Sequence, residues 1–243
     1  MQNTFHVFSK IYRQSPKTSP LFDILRLIMT TLRIDMHVHT HYSRDGFMSE
    51  DAIIAACQKK DLSGVAITDH NTLKGALDLK KIAPFKIIVG EEIQTQEGEI
   101  MGYFLHEEIP PHLPLEETIK IIRAQGGLVG IPHPFGSFRR SKIKQEALER
   151  IIYQVDIIEV FNSRNIFAKD NHLAVAFAQK HRLVPVAGSD AHISDEIGKA
   201  YIEIEDFNDP KCFLNNLKSA KLVTKKSGLW VHAVTKWAKL FRK

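Results

Sequence analysis

Histidine and aspartate recur at short intervals in the stretch IDMHVHTHYSRDG, which contains Asp35, His37, His39, His41 and Asp45. Neutral imidazoles and carboxylates together are ligands that zinc, manganese and iron accept in proteins. Side chains two residues apart on an extended strand point the same way, so His37 and His39 can share one ion. A polar loop that happens to be rich in histidine would have the same composition. The elements that position these residues must separate the two interpretations.

From Leu32 onward, short apolar runs alternate with helical patterns. The predicted strands are 33–38, 64–68, 86–92, 100–105, 128–132, 156–161, 183–188 and 200–205. The predicted helices are 49–60, 114–127, 171–182 and 209–220. Most strand runs are apolar on both faces, which is typical of buried parallel strands. Repeated β-then-α alternation along most of the chain predicts an α/β barrel.

Chemically active side chains follow nearly every predicted strand. They are His37, His39, Asp45, Asp69, His70, Glu91, Glu92, His133, Glu159, Asn162, Arg164, Asp190 and His192. The C-terminal ends of parallel strands meet at one rim of a barrel, where functional residues gather. Any one of these residues could be structural, but their convergence on one rim favours a metal centre. The sequence shows no serine or cysteine paired with histidine as a nucleophile, and no glycine-rich loop at a helix start.

Bulk composition limits the class of protein. The 243 residues suit a single domain, and 44% hydrophobic with 25% charged residues are ordinary for a globular protein. No apolar run reaches the roughly 18 residues that a bilayer span requires. The two cysteines, Cys57 and Cys212, exclude a disulfide framework and fit a reducing, cytoplasmic compartment.

The net charge of +5 is unevenly distributed. Residues 1–33 carry +4 and residues 221–243 carry +7, so the central body carries −6. Basic tails are weak support for nucleic-acid binding, whereas an acidic body is expected where carboxylates bind cations. The C-terminal segment has the pattern of a basic amphipathic helix. It either closes the bottom of the barrel or associates with a membrane surface or a partner.

Six motifs, in the order DMHVHTHYSRDG, ITDHN, GEEI, IPHP, EVFN and GSDAH, together resemble the polymerase-and-histidinol-phosphatase (PHP) superfamily. The resemblance runs from Arg33 to Tyr201. It implies a distorted (β/α)7 barrel that holds two or three divalent ions (manganese, zinc or iron) and hydrolyses phosphoesters. We therefore expect a poorly ordered extension over 1–30, a PHP metal-dependent hydrolase domain over 31–222 and the basic helix over 223–243.

The resemblance also implies a set of ligands. A first metal would be bound by His37, His39, Glu92 and Asp190. A second metal would share Glu92 and add His133 and Glu159. A third would be bound by Asp45, His70 and His192. Asp35 and Asp69 would orient histidines from behind. The chain departs from the family pattern at Glu99, in EIMG, where many relatives have a histidine.

Roles in catalysis and substrate binding follow from the same resemblance. The catalytic centre would include Glu92, Asp190 and His192, at which a metal-activated water attacks phosphorus. Arg164 is the candidate for binding a phosphate oxygen, with Asn162 orienting it or contacting substrate. A solvent-facing residue at a helix start is the alternative for Arg164.

Two further features keep alternatives open. His41 is interpreted as a structural or substrate-facing residue of the rim. Four basic residues lie close together in the predicted loop after His133: Arg139, Arg140, Lys142 and Lys144. This basic loop is either a solvated run of charges or a collar that attracts a phosphorylated substrate.

These features predict a metal-dependent phosphoesterase that hydrolyses a small phosphomonoester or nucleotide phosphate. Two alternatives are an exonuclease of the same fold that trims short oligonucleotides and a non-catalytic metal-binding regulatory module. An amidohydrolase would share the barrel and the metals, but Arg164 favours a site directed at phosphate.

Overall fold

A computed structural model of the chain describes residues 31–228, 230 and 231. Its strands are β1 (Thr31–Val38), β2 (Gly64–Ile67), β3 (Lys86–Thr95), β4 (Gly98–Tyr103), β5 (Leu128–Ile131), β6 (Ile157–Asn162), β7 (Val184–Gly188), β8 (Ala200–Glu205) and β9 (Lys221–Thr224). Its helices are α1 (Glu50–Lys59), α2 (Lys74–Ile82), α3 (Leu115–Ala124), α4 (Gln145–Ile151), α5 (Ala168–His181) and α6 (Pro210–Leu217). A short 3₁₀ turn, Ile152–Gln154, follows α4.

These strands form one sheet in the order β7-β6-β5-β4-β3-β2-β1-β8-β9. The sheet curves into a nearly closed barrel, because the chain just after β7 meets the end of β1. There the amide of His39 donates to the carbonyl of Ala191 at 2.9 Å, and the amide of Ala191 donates to the carbonyl of His37 at 3.3 Å. The fold class predicted from the sequence, a distorted α/β barrel, is confirmed.

The distortion lies in the strand directions. The pairs β1–β2, β2–β3, β5–β6 and β6–β7 are parallel. In contrast, β4 is antiparallel to both neighbours, and β8 is antiparallel to β1 and β9. The predominantly parallel pattern predicted from the apolar runs is therefore wrong for these strands. Only two residues separate β3 from β4, which is enough for a hairpin but too few for a crossover helix.

The helices differ in how they begin. The side chain of Ser49 accepts a hydrogen bond from the amide of Ala52 at the start of α1, and Asp209 does the same for Cys212 in α6. In α2 and α4 the capping positions are Leu73 and Lys144, which provide no side-chain cap. Both helices were missed, although α3 and α5 also begin without a side-chain cap and were predicted.

Two apolar clusters hold the barrel together. The larger contains side chains of α1 to α5 and of the strand faces that they cover. The smaller contains Ile34, Met36 and Ile202 from strands together with Phe213 and Leu217 of α6. In β1, these apolar residues alternate with Asp35 and His37, because successive side chains of a strand point to opposite faces. The strand thus buries an apolar face and offers a polar one.

Both predicted terminal segments fall largely outside the described residues. The extension expected over 1–30 lies outside them, and so does most of the helix expected over 223–243. Residues 223 and 224 are the end of β9. None of the helices in the described part of the chain is long and apolar enough to cross a membrane.

Candidate metal centre

Four side-chain atoms converge where β1, β3 and β7 end. The Nε2 atoms of His37 and His39 lie 3.0 Å apart, and Glu92 Oε2 lies 3.4 Å from each. Asp190 Oδ1 lies 3.5 Å from His37 Nε2 and 3.3 Å from His39 Nε2. The donors of His37, His39 and Glu92 lie within 4.8 Å of one another, as the ligands of one divalent ion do. Asp190 borders both imidazoles, so these are the four residues expected from the sequence at the first site.

Glu92 faces a second group of donors with its other oxygen. Its Oε1 lies 2.9 Å from His133 Nε2, while Oε2 also lies 3.2 Å from His70 Nδ1. One carboxylate thus presents different oxygens to His37 and His133, which is the arrangement expected of a bridging ligand. The Glu99 carboxylate approaches the same group, with Oε1 3.7 Å from His70 Nδ1.

A third group forms on the side of His39 away from His37. Asp45 Oδ1 lies 3.6 Å from His70 Nε2 and 3.3 Å from His192 Nε2. The His39 ring centroid is 4.6 Å from that of His70 and 4.3 Å from that of His192. The structure therefore brings Asp45, His70 and His192 together next to the first group.

A hydrogen-bond relay supports His39 from behind. Asp69 accepts from the amide and hydroxyl of Thr40, both at 2.7 Å, and from the Ser43 hydroxyl at 2.6 Å. Ser43 Oγ lies 3.0 Å from His39 Nδ1 and accepts from the His70 amide at 3.1 Å. Because the Ser43 proton goes to Asp69, Ser43 accepts from His39 Nδ1–H, which leaves the lone pair of Nε2 facing the donor group. Sequence reasoning missed Ser43, although it is four residues after His39.

Glu159 uses both oxygens within the protein. Oε1 lies 3.1 Å from His37 Nδ1, and Oε2 accepts from the His133 amide at 2.8 Å and from Asn162 Nδ2 at 2.9 Å. This placement favours an orienting role for Glu159, behind His37, over the ligand role expected from the sequence. Gly188 makes the approach possible, because a Cβ there would lie 2.5 Å from both Glu159 Oε1 and His37 Cβ.

Asp35 holds the backbone rather than an imidazole. Its Oδ1 accepts from the amides of His37 at 3.3 Å and Ser189 at 2.9 Å, and its Oδ2 accepts from the Gly198 amide at 2.8 Å. Burial raises its pKa to about 6 despite these bonds. It links the end of β1 to the loop that carries Asp190.

Two of the grouped residues sit on left-handed backbone. His133 has φ of 28° and Asp190 has φ of 56°, which is costly for residues other than glycine. Backbone strain of this kind clusters at functional sites, where the surrounding structure enforces it. The two positions follow β5 and β7, at the same rim of the barrel, and place their side chains in the donor groups.

The donor groups carry strongly coupled charges. Burial disfavours the charged form of His37, but the carboxylates of Asp190, Glu159 and Glu92 outweigh it and hold the pKa of His37 well above its usual range. Burial and the neighbouring His192 lower the pKa of His39 to about 4. Burial opposes ionisation of Asp190 too, yet Arg139 and His37 hold its pKa well below its usual range. The carboxylates of Glu92 and Asp190 are therefore ionised and His39 is neutral, as cation ligands must be, whereas His37 must lose a proton when an ion binds.

Asn162 and Arg139 contact the ligand Asp190. Asn162 Nδ2 donates to Asp190 Oδ2 at 3.3 Å, and the guanidinium of Arg139 donates to the same oxygen. Arg139 also donates to Asn162 Oδ1 at 3.2 Å. Asn162 is fully buried, so it orients Asp190 within the described structure. Arg139 comes from the loop after β5 and reaches the centre from the open side.

Arg164 is buried among neighbours and does not face solvent, so the solvent-facing alternative for it is wrong. Its Nη1 lies 2.6 Å from His192 Nδ1, and its Nε lies 3.4 Å from Glu196 Oε1. His192 Nδ1 also lies 2.8 Å from the Asp190 carbonyl. Arg164 therefore stabilises the position of His192 and is itself balanced by Glu196.

An open cavity of about 1000 Å³ covers the centre. Its lining includes Asp45, His70, Glu99 and His192 of the donor groups and four arginines, Arg44, Arg139, Arg140 and Arg164. An arginine-rich wall facing metal donors suits an anionic substrate. The two lysines of the basic loop are placed differently from its arginines. Lys142 donates to the Gly136 carbonyl at 3.1 Å, and Lys144 immediately precedes α4.

Two sequence candidates lie outside the donor groups. His41 is at the rim, with Nδ1 3.8 Å from Glu50 Oε2. Glu91 points away from Glu92, and its Oε2 accepts from the Ile109 amide at 3.1 Å. Burial raises the pKa of Glu91 to about 7.

Comparison with known proteins gives consistent relationships. Residues 168–222 match a family model described as PHP-associated. The uncharacterized protein MJ0417 of Methanocaldococcus jannaschii is 38% identical over 210 residues, which cover 82% of this chain and 85% of that protein.

Two solved structures share the fold. One is a two-domain protein of Bacteroides vulgatus containing a predicted PHP-like metal-dependent phosphoesterase (TM-score 0.66, 16% identity). The match covers 80% of this chain but 64% of that protein, so this chain spans about two thirds of its length. The other is an amidohydrolase of Chromobacterium violaceum with bound sulfate and no metal (TM-score 0.57, 17% identity), matched over 79% of this chain and 97% of that one.

Proposed function

This chain belongs to the PHP superfamily, and on that premise we propose that it is a metal-dependent phosphoesterase acting on a small phosphomonoester or nucleotide phosphate. The observation that carries the proposal is the convergence of His37, His39, Glu92 and Asp190 donors beneath a cavity lined by arginines. Divalent ions held there would supply Lewis-acid activation of water and stabilise charge on phosphoryl oxygens.

The chain's own residues would divide the remaining work. Glu92 presents its two oxygens to neighbouring donor groups and so fixes their separation. The Ser43–Asp69 pair and Glu159 hold Nδ1 of His39 and of His37, so that both rings present Nε2 to the ion. His192 sits beside Asp45 at the cavity wall, where burial and the Arg164 guanidinium lower its pKa and keep the imidazole neutral, as a cation ligand must be. Together these contacts preorganise the site before substrate arrives.

Substrate binding would fall to arginines of the cavity wall. We assign Arg139 the phosphate contact, with Arg164 in support, because the Arg139 side chain is 24% exposed on the cavity wall whereas that of Arg164 is 6% exposed. A guanidinium binds two phosphate oxygens at once. A cavity of about 1000 Å³ accommodates a nucleotide-sized molecule.

The test is hydrolysis by the full chain after its metals have been removed with a chelator and individually restored. The substrate panel comprises phosphomonoesters, nucleotides with 3′- and 5′-phosphates, short oligonucleotides and amides. We expect metal-dependent release of inorganic phosphate by the wild type and by His172→Ala, which changes an exposed histidine of α5. His37→Ala should abolish release while retaining the circular dichroism spectrum of the wild type.

Other outcomes would replace the proposal. Cleavage of oligonucleotides with affinity that falls steeply with salt would identify an exonuclease. Amide cleavage without phosphate release would identify an amidohydrolase. Bound metal with no turnover on any substrate would identify a non-catalytic metal-binding module.

A further inference from the structure

Glu99 directs its carboxylate into the donor groups from β4. In the β3–β4 hairpin it pairs with Gln94, and its amide donates to the Ser141 carbonyl at 2.7 Å. Its side chain is buried, with Oε1 3.7 Å from His70 Nδ1 and Oε2 4.0 Å from His133 Nε2. The backbone is thus anchored on one side while both carboxylate oxygens face imidazoles.

The charge around Glu99 favours a bound cation. Glu92 lies in the same cluster and is also buried, so two carboxylates share one desolvated region. The described ion-pair partners of Glu99 are His70 and His133, and those of Glu92 are histidines too. An imidazole that binds a metal is neutral and cannot balance a carboxylate. Buried acids without compensation are strongly unfavourable, whereas a divalent ion between them removes the cost.

We propose that Glu99 binds the same metal ion as Glu92 Oε1 and His133 Nε2. Because two of these three donors are oxygens, the affinity of this site for Zn²⁺ should exceed its affinity for Mn²⁺ by less than is usual. The inference rests on the proposed function and concerns its metal selection. The neighbouring site has two imidazole nitrogens, from His37 and His39, among its donors. Imidazole suits zinc and iron, whereas carboxylates suit manganese, so the two positions differ in the metal that each favours.

Three substitutions separate the possibilities. Glu99→Gln removes the charge with little change in shape, and Glu99→His replaces the oxygen donor by nitrogen. Glu97→Gln is the matched control, since Glu97 lies two residues earlier in the hairpin turn and pairs with Arg150 at 2.7 Å near the surface. Circular dichroism of each variant checks that the barrel is folded.

The experiment is titration of the chelator-stripped full chain with MnCl₂ and, separately, with ZnCl₂. Binding is followed by calorimetry and, for Mn²⁺, by the electron paramagnetic resonance signal of the free ion. We expect the wild type and Glu97→Gln to bind the same number of Mn²⁺ ions. In Glu99→Gln the affinity for one of these Mn²⁺ ions should fall by about 10-fold or more, which is the effect seen when groups around a metal site are removed. Glu99→His should restore binding of Zn²⁺ at that position but not of Mn²⁺.

Different outcomes of the titrations would contradict the ligand role of Glu99 and the proposed function. Identical Mn²⁺ binding by Glu99→Gln and Glu97→Gln would overturn the ligand role of Glu99, even if the wild type hydrolyses phosphoesters. If the ratio of the Zn²⁺ and Mn²⁺ affinities in Glu99→His equalled that of the wild type, the proposed metal selectivity would be overturned. A wild-type chain that binds neither ion would instead refute the metal centre on which the proposed function depends.

Discussion

The Nε2 atoms of His37 and His39 lie 3.0 Å apart, with carboxylate oxygens of Glu92 and Asp190 within 3.5 Å of them. Two nitrogen lone pairs at this separation repel each other unless a proton or a cation lies between them. In the metal-free protein the proton belongs to His37, whose pKa is held well above its usual range by the surrounding carboxylates, because the pKa of His39 is lowered to about 4. A cation that binds both nitrogens must therefore displace that proton.

Metal binding should stabilise the folded chain. An ion that binds only the folded state adds about 2.7 kcal/mol at a concentration 100 times its Kd. We expect the melting temperature to rise when Mn²⁺ or Zn²⁺ is added to chelator-stripped protein, and His39→Ala to lose most of the rise. Differential scanning calorimetry measures it, with His172→Ala as the control. An equal rise in His39→Ala would show that the ion binds elsewhere.

Ser43→Ala should weaken metal binding without removing a ligand. The substitution deletes the group that joins His39 Nδ1 to Asp69, so the imidazole loses its fixed tautomer. Asp69 loses one of its three hydrogen bonds, which costs about 1.5–3 kcal/mol for a bond to a charged group, and loss of such a supporting group typically costs 10- to 100-fold in metal affinity. Calorimetric titration and chemical denaturation report the two effects. Ser219→Ala changes an exposed serine and should leave both unaltered.

Arg139→Ala should raise KM for a phosphomonoester by about 10-fold, equivalent to about 1.4 kcal/mol of binding, because the variant loses the guanidinium beside Asp190. Arg139→Lys should recover only part of the loss, since an ammonium cannot bind two oxygens in a fork. Steady-state kinetics in saturating metal provide the measurement, and Lys180→Ala, on the exposed end of α5, serves as control. An unchanged KM would shift the phosphate contact to Arg164.

Glu91→Gln should flatten the pH dependence of stability. The folded pKa of Glu91 is raised by burial from 4.5 to about 7. Between those values the unfolded chain releases a proton that the folded chain retains, so this group makes the free energy of unfolding fall as pH rises. The advantage of Glu91→Gln over the wild type should grow between pH 4.5 and 7. Denaturation of metal-free protein at several pH values tests this, with Glu117→Gln as an exposed control. A constant difference would contradict it.

The fold was largely predictable from the sequence, but its irregularities were not. Apolar runs located β1 to β8, because buried strands need such runs whatever their direction, but the short strand β9 was missed. The same reasoning could not assign direction, so the reversal of β4 and β8 was missed. Helices α2 and α4 were missed as well.

The strand ends placed the donors at one rim, and the resemblance to the PHP superfamily implied how they group; the structure brings these donors together. Neither could show the direction in which a side chain turns. Glu159 turns behind His37, Ser43 joins two loops, and Arg139 folds back from the 13-residue connection between β5 and α4. The carboxylate of Glu99 could be placed only when the hairpin register was known.

The pairing of β1 with β8 has a consequence for synthesis of the chain. Strand β1 is central in the sheet, yet its partner β8 begins only at Ala200. The ribosome synthesises the N-terminal end first, so β1 cannot pair with β8 until most of the chain has been translated. Asp190 and His192 also emerge late, so the donor groups are incomplete until then. We therefore expect the chain to bind its metals after translation. A product truncated before Asp190 should fail to bind them.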